Sequence, residues 1–154
     1  MNKTDKEIAK KWVEALRNGG YKQGEGNLYN ENTDTYCCLG VLGCEVYDPG
    51  TIRDLGNHAY LLDNDDALAE NLNDLDERDD FIKSLPSFIK GHHIEEFFSH
   101  LNDGTSLTFL KIFSIKEKTL NYIRKLFKEL DNSNQKYFSF EEIARIIELE
   151  FIEN

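Results

Sequence analysis

The chain has few cysteines, no long apolar run and a shortage of positive charge, and each shortage excludes something. Three cysteines is an odd number, and Cys37 and Cys38 are adjacent. A disulfide framework does not fit that pattern, and a reducing cytoplasm does. No uncharged apolar stretch approaches the ~18 residues of a membrane-spanning helix. The opening Met1-Asn2-Lys3-Thr4-Asp5-Lys6-Glu7 has the look of a charged helix start and not of a signal peptide. Lys and Arg number 18 against 29 Asp and Glu, a formal net charge of −11. A nonspecific nucleic-acid binder needs clustered Lys and Arg, so that class is not expected.

What is present is globular. The 154 residues suffice for one domain, with 40% hydrophobic and 31% charged residues. The charge is uneven. Residues 1–44 balance to zero, residues 45–80 carry −10, and residues 81–154 carry −1. An anionic ligand is therefore still compatible with most of the surface.

Local signals predict an α+β domain over residues 1–154, mainly helical, with a small sheet from residues 28–37 and 107–113. Thr4 with Glu7 reads as a capping box ahead of a helical stripe of Ile8, Trp12, Ala15 and Leu16. Asn18-Gly19-Gly20 ends that helix. A strand end near Cys37 leads into a short buried helix from about Leu39. Asn64 is placed to cap an acidic helix with Leu68, Leu72 and Leu75 on its face, and Pro86 interrupts any helix near it. Ile94, Phe97, Phe98 and Leu101 form the next stripe. Ser114 with Glu117 and Ser139 with Glu142 read as further capping boxes, the latter with Phe138 and Ile143 as a hydrophobic staple. The expected core is Trp12, Leu16, Leu39, Val41, Leu42, Phe97, Leu101, Phe109, Ile123, Phe127, Ile143 and Ile147. Leu72-Asn73-Asp74, Leu101-Asn102-Asp103 and Leu130-Asp131-Asn132 recur every 29 residues, but their flanks match too loosely for a repeat to be the favoured reading.

Several residues are candidates for chemistry. Cys38 at a helix start is the nucleophile if the chain is an enzyme, although free cysteine is more often a small core residue. His92, Glu96 and His100 share a helical face at metal-like spacing, with a solvated face as the alternative. Residues 131–142 resemble a calcium loop with Asp131, Ser133, Gln135 and Glu142 as ligands. Lys136 stands where that loop needs glycine, and a helix end, turn and capped helix account for the same residues. Gln23-Gly24-Glu25-Gly26-Asn27 lacks the lysine and trailing glycine of a phosphate loop and reads as a turn.

Three stretches then carry a resemblance: Lys11-Trp12-Val13-Glu14-Ala15-Leu16-Arg17, Gly20-Tyr21-Lys22-Gln23-Gly24, and Tyr36-Cys37-Cys38-Leu39-Gly40-Val41-Leu42. They resemble the opening of a family of small proteins common in phage genomes. That family closes with a Leu-Asn-Asp turn and a Ser-Phe-x-x-Ile-Ala helix, matched here by Leu130-Asp131-Asn132 and Ser139-Phe140-Glu141-Glu142-Ile143-Ala144. The turn departs from the family's Asn-Asp order, which Asn102-Asp103 keeps. The resemblance covers residues 11–46 and 126–151 and leaves the acidic segment without a counterpart. It implies a phage or prophage origin, a compact domain and action in the cytoplasm of an infected or lysogenic bacterial host. It brings no reaction and argues against calcium.

The expectation is a binding protein, with no cofactor, that blunts host defence by sequestering a small nucleotide. Trp12 or Tyr21 would stack on the base, Arg17 and Lys22 would meet phosphate, and Gln23 and Asn102 would contact base or ribose. The alternative is an inhibitor that masks a basic host protein through its acidic segment. Homo-oligomerisation stays open, and no membrane or bulk nucleic-acid partner is expected.

Overall fold

The computed structural model describes residues 3–56, 85–90, 94–130 and 135–153. Most of the acidic segment lies outside them, including the helix expected after Asn64. The first helix, α1 (Lys3–Asn18), buries Ala9, Trp12, Val13, Ala15 and Leu16. It already runs at Lys3, so Thr4 lies inside the helix and does not cap it. Its last turn closes through Gly19 N–H on the Ala15 carbonyl at 2.9 Å, and Gly20 follows at φ +78°. A side chain disfavours that left-handed conformation, which is why glycine ends the helix.

The chain then forms a small sheet. Strand β1 (Tyr29–Asn30) pairs antiparallel with β2 (Thr35–Tyr36), Tyr29 opposite Tyr36. Gln23 forms a parallel bridge to Tyr36 from the other side. Asp34 takes φ 52° in the hairpin and accepts from the Tyr29 hydroxyl at 2.9 Å, a conformation that Asp tolerates better than most residues.

Helix α2 (Cys38–Val46) buries every residue from Cys38 to Cys44. Its N-cap is Cys37, whose Sγ accepts from Gly40 N–H at 3.4 Å. The Leu28 carbonyl crosses so close to Gly40 that a Cβ there would lie 2.0 Å from its oxygen. Helix α3 (Pro49–Gly56) follows Asp48, which accepts from Thr51 N–H at 2.8 Å. After Pro86 come α4 (Ser87–Lys90) and α5 (Ile94–Asp103).

Residues 107–113 correct the expectation of a strand. They form the short helix α6 (Leu107–Leu110) and a following turn. Ser106 starts it by accepting from Phe109 N–H at 3.2 Å, a local bond that overrides the β propensity of the run. Beside it, Thr105 and Lys136 exchange backbone bonds of 3.0 and 2.9 Å.

Helix α7 (Glu117–Lys128) also differs from expectation. Its N-cap is Lys116, without a side-chain cap, so Ser114 forms no capping box. Glu150 replaces it from a distance, accepting from Lys116 N–H and from the Thr119 hydroxyl, both at 2.9 Å. Helix α8 (Phe140–Ile147) has the full Ser139/Glu142 capping box and runs into a π-helical turn, Glu148–Ile152. Phe138 and Ile143 are both buried as a staple requires.

The result is a mainly helical α+β domain in which α1 packs against α2, α8 and the π turn. The Trp12 indole donates to the Cys38 carbonyl at 2.9 Å, and its ring lies 4.9 Å from that of Phe98. Of the expected core, Phe109 and Phe127 are only half-buried, because each lies at the edge of the short α6–α7 layer. Among the described residues, no helix is long and apolar enough to cross a membrane.

Replacing Gly40 by alanine forces a methyl group into the Leu28 carbonyl. Thermal unfolding should show a destabilisation of about 2–3 kcal/mol, as overpacking against an unyielding neighbour does. An unchanged melting temperature would show that α2 does not hold this approach.

Candidate functional site

The six residues expected to hold a ligand are dispersed. The Trp12 side chain is fully buried, so its faces are spent on the core. The Arg17 guanidinium forks onto Glu148 at 2.8 and 3.0 Å and reaches Glu141 at 3.1 Å through Nε. Its bonds to Glu148 raise its pKa and hold the Glu148 carboxyl below the usual carboxylate range. It is a tie between α1 and the last helix, with its fork already occupied. The Tyr21 ring stands edge-on to Tyr36 at 5.1 Å and its hydroxyl donates to Glu45 at 3.4 Å. Lys22 is exposed, and its carbonyl accepts from Tyr36 N–H.

Gln23 and Asn102 do come together. The Asn102 Oδ1 accepts from Cys38 N–H and from Gln23 Nε2, both at 3.1 Å. Its Nδ2 donates to the Gly24 carbonyl at 2.7 Å and to Asp103 at 2.9 Å. Gln23 in turn donates to the Phe138 carbonyl at 2.8 Å and accepts from Phe140 N–H at 3.1 Å. All four hydrogen-bonding positions of the Asn102 amide are used. These two side chains form a polar knot at the foot of a shallow cavity of about 350 Å³, also lined by Gly24, Glu25, Tyr137, Phe138 and Ser139. Among the described residues, that cavity is lined by no cation, and the Asn102 amide has no bond left for a base or ribose.

The catalytic and metal candidates fare similarly. Cys38 is fully buried and its thiol donates to the Phe98 carbonyl at 3.4 Å. Burial pushes that thiol well above its ordinary pKa, pushes Cys37 up to about 12 and Cys44 up to about 11. Desolvation thus outweighs the helix start at Cys38, and a protonated, inaccessible thiol is no nucleophile. His92 lies outside the described residues, and the His100 ring lies tilted against Phe109 with centroids 4.3 Å apart. Asp131 and Ser133 lie outside them too. Glu142 is committed to the Ser139 N–H at 3.0 Å and to Lys136 at 3.1 Å. Among the described residues, no group of three or more His, Cys, Asp or Glu is placed to hold a metal ion.

A different site lies between α6 and α7. There a cleft of about 530 Å³ is lined by Ser106, Leu107, Thr108, Lys111, Arg124, Phe127 and Lys128. Its size is that of a small-molecule site. Lys111 extends from the turn after α6, while Arg124 and Lys128 stand one turn apart on α7. Arg124 Nη1 donates to Glu117 at 3.2 Å and to Asn121 at 3.1 Å. Among the described residues, Lys111 and Lys128 make no ion pair. Phe127 lends an apolar wall and meets Phe138 at 5.8 Å. The i, i+4 spacing of Arg124 and Lys128 was available in the sequence. What hid the site was the strand expected at 107–113, which does not turn Lys111 toward α7.

A family model described as a domain of unknown function (DUF8296) matches residues 4–151. No curated protein and no solved structure matches the chain.

The buried thiols have a consequence for pH. Their folded pKa values are raised, so the stability they contribute is complete below the unfolded thiol value near 9. It is lost as pH rises from there toward about 11 and 12. Denaturant titration should therefore show stability falling above about pH 9, by up to ~1.4 kcal/mol per pH unit for each thiol. Cys44→Ala should flatten part of that slope, and an identical slope in this variant would refute the assignment.

Proposed function

The chain belongs to the DUF8296 family, and we propose that it is a phage accessory protein that holds a small nucleotide in the α6–α7 cleft and performs no reaction on it. The observation that carries this reading is the convergence of Lys111, Arg124 and Lys128 on one ligand-sized cleft. Lys and Arg are the side chains that meet phosphate, Arg as a fork and Lys as a point charge. The half-buried Phe127 offers a nucleoside an apolar surface. Ser106 and Thr108 add hydroxyls for phosphate or sugar oxygens.

The absence of chemistry in the reading has its own support. The thiols are buried and protonated, and among the described residues the cleft is lined by neither carboxylate nor histidine that would act as a base. The cleft's cations favour the binding of an anion. The phage role rests on the resemblance of residues 11–46 and 126–151. Sequestration fits both, since a protein that lowers the free concentration of a signal needs affinity and no turnover.

The experiment is calorimetry against a panel of nucleotides, cyclic and linear, with the native chain and with Lys111→Glu and Lys128→Glu. Saturable binding to at least one nucleotide is expected. Each reversal should weaken it about tenfold or more, as losing a charge-assisted phosphate contact does. No binding across the panel overturns the reading. Binding that both reversals leave intact moves it away from this cleft.

A further inference from the structure

Resting on the nucleotide reading above, we infer that the cleft selects ligands with two or more linked phosphates over monophosphates, and that Glu117 is the residue that sets this selectivity. The cations of the cleft are not equivalent. Lys111 and Lys128 make no ion pair among the described residues, whereas Arg124 is held by Glu117 and Asn121. Glu117, Asn121, Arg124 and Lys128 follow one another along α7 at spacings of three and four residues, so they share a face. Glu117 therefore competes with a bound anion for Arg124, and it does so from within the same helix.

The competition has a threshold. A phosphate monoester is close to doubly charged at neutral pH. The two uncommitted lysines match that charge, so a monophosphate has little to gain by drawing Arg124 from its carboxylate. A second linked phosphate brings charge that the lysines do not match, and Arg124 is the cation that remains along that face. Glu117 is 75% exposed on its side chain and its pair with Arg124 spans 3.2 Å, at partial exposure. Such a pair is weak and easily exchanged. Moreover, only Nη1 of Arg124 carries these bonds. The cleft's volume of about 530 Å³ leaves room for a ligand larger than one phosphate.

The test titrates adenosine mono-, di- and triphosphate into the native chain and into Glu117→Gln and Arg124→Gln by calorimetry. For the native chain, the diphosphate should bind about tenfold tighter than the monophosphate, the gain of one charge-assisted contact. Glu117→Gln should tighten the monophosphate and narrow that ratio to about threefold or less, since Arg124 is then available to every ligand. Arg124→Gln should abolish the ratio by weakening the di- and triphosphate. Both substitutions are at the surface of α7, and a melting curve for each checks that the fold is kept. Equal native affinities for the three nucleotides overturn the inference and leave the nucleotide reading standing. A Glu117→Gln variant that tightens all three ligands by the same factor also overturns it, since that is a general charge effect. Failure of every nucleotide to bind overturns both.

Discussion

The amide of Asn102 is the point on which the described structure turns. It is 1% exposed, and its two atoms meet the start of α2, the Gly24 carbonyl, Gln23 and Asp103. Through Gln23 the same set of bonds reaches Phe138 and Phe140 at the entry to α8. Each of those backbone groups would otherwise be buried or half-buried without a partner, which costs about 1–3 kcal/mol per group. A buried network of this kind tolerates no partial solution, because one missing member strands the others. It is also a specifying device. A hydrophobic residue at this position would fill space but would not fix how the 21–26 loop, α2 and α8 are placed relative to one another.

The knot explains why some sequence features invite a functional reading. Gly-Tyr-Lys-Gln-Gly and Leu-Asn-Asp look like ligand-binding turns, with amides and glycines where backbone and small molecules meet. In this fold the partner of those amides is the chain itself. The cleft with cations has a separate lining, between α6 and α7, and it uses residues whose individual identities are ordinary. An acidic chain thus presents a local basic site, which is possible because net charge is a sum and a ligand responds to the field nearby.

What was legible in the sequence is what local chemistry decides. Ser139 and Glu142 cap α8 with bonds that span three residues, and Gly20 ends α1 through its own backbone conformation. The hydrophobic stripes of α1, α5 and α8 gave the core, since period alone places an apolar face. Other features depended on partners far along the chain. Glu150 caps α7 from 34 residues away, so no reading of residues 114–117 would find it. Arg17 looked like a free cation because Glu148 lies 131 residues on. The run 107–113 has strand-like residues but follows a helix-starting serine, Ser106, and a four-residue helix is too short for period to decide. The basic cleft was illegible for the same reason, since its two walls meet only once that run is known to be helical.

The tie between Arg17 and Glu148 also bears on how the chain reaches its fold. The first helix is made well before α8, yet the partners of Arg17, Gln23 and Trp12 are spread from Cys38 to Glu148. Contacts of such large sequence separation close long loops before any reward is collected, and they slow folding relative to a bundle of neighbouring helices. On the ribosome, α2 would emerge first to cover Trp12, while the part of the α1 face that meets α8 would stay uncovered until α8 emerged. The described domain is therefore complete only after α8 has been made. The apolar surface that waits longest for its cover is the face of α1 turned toward α8.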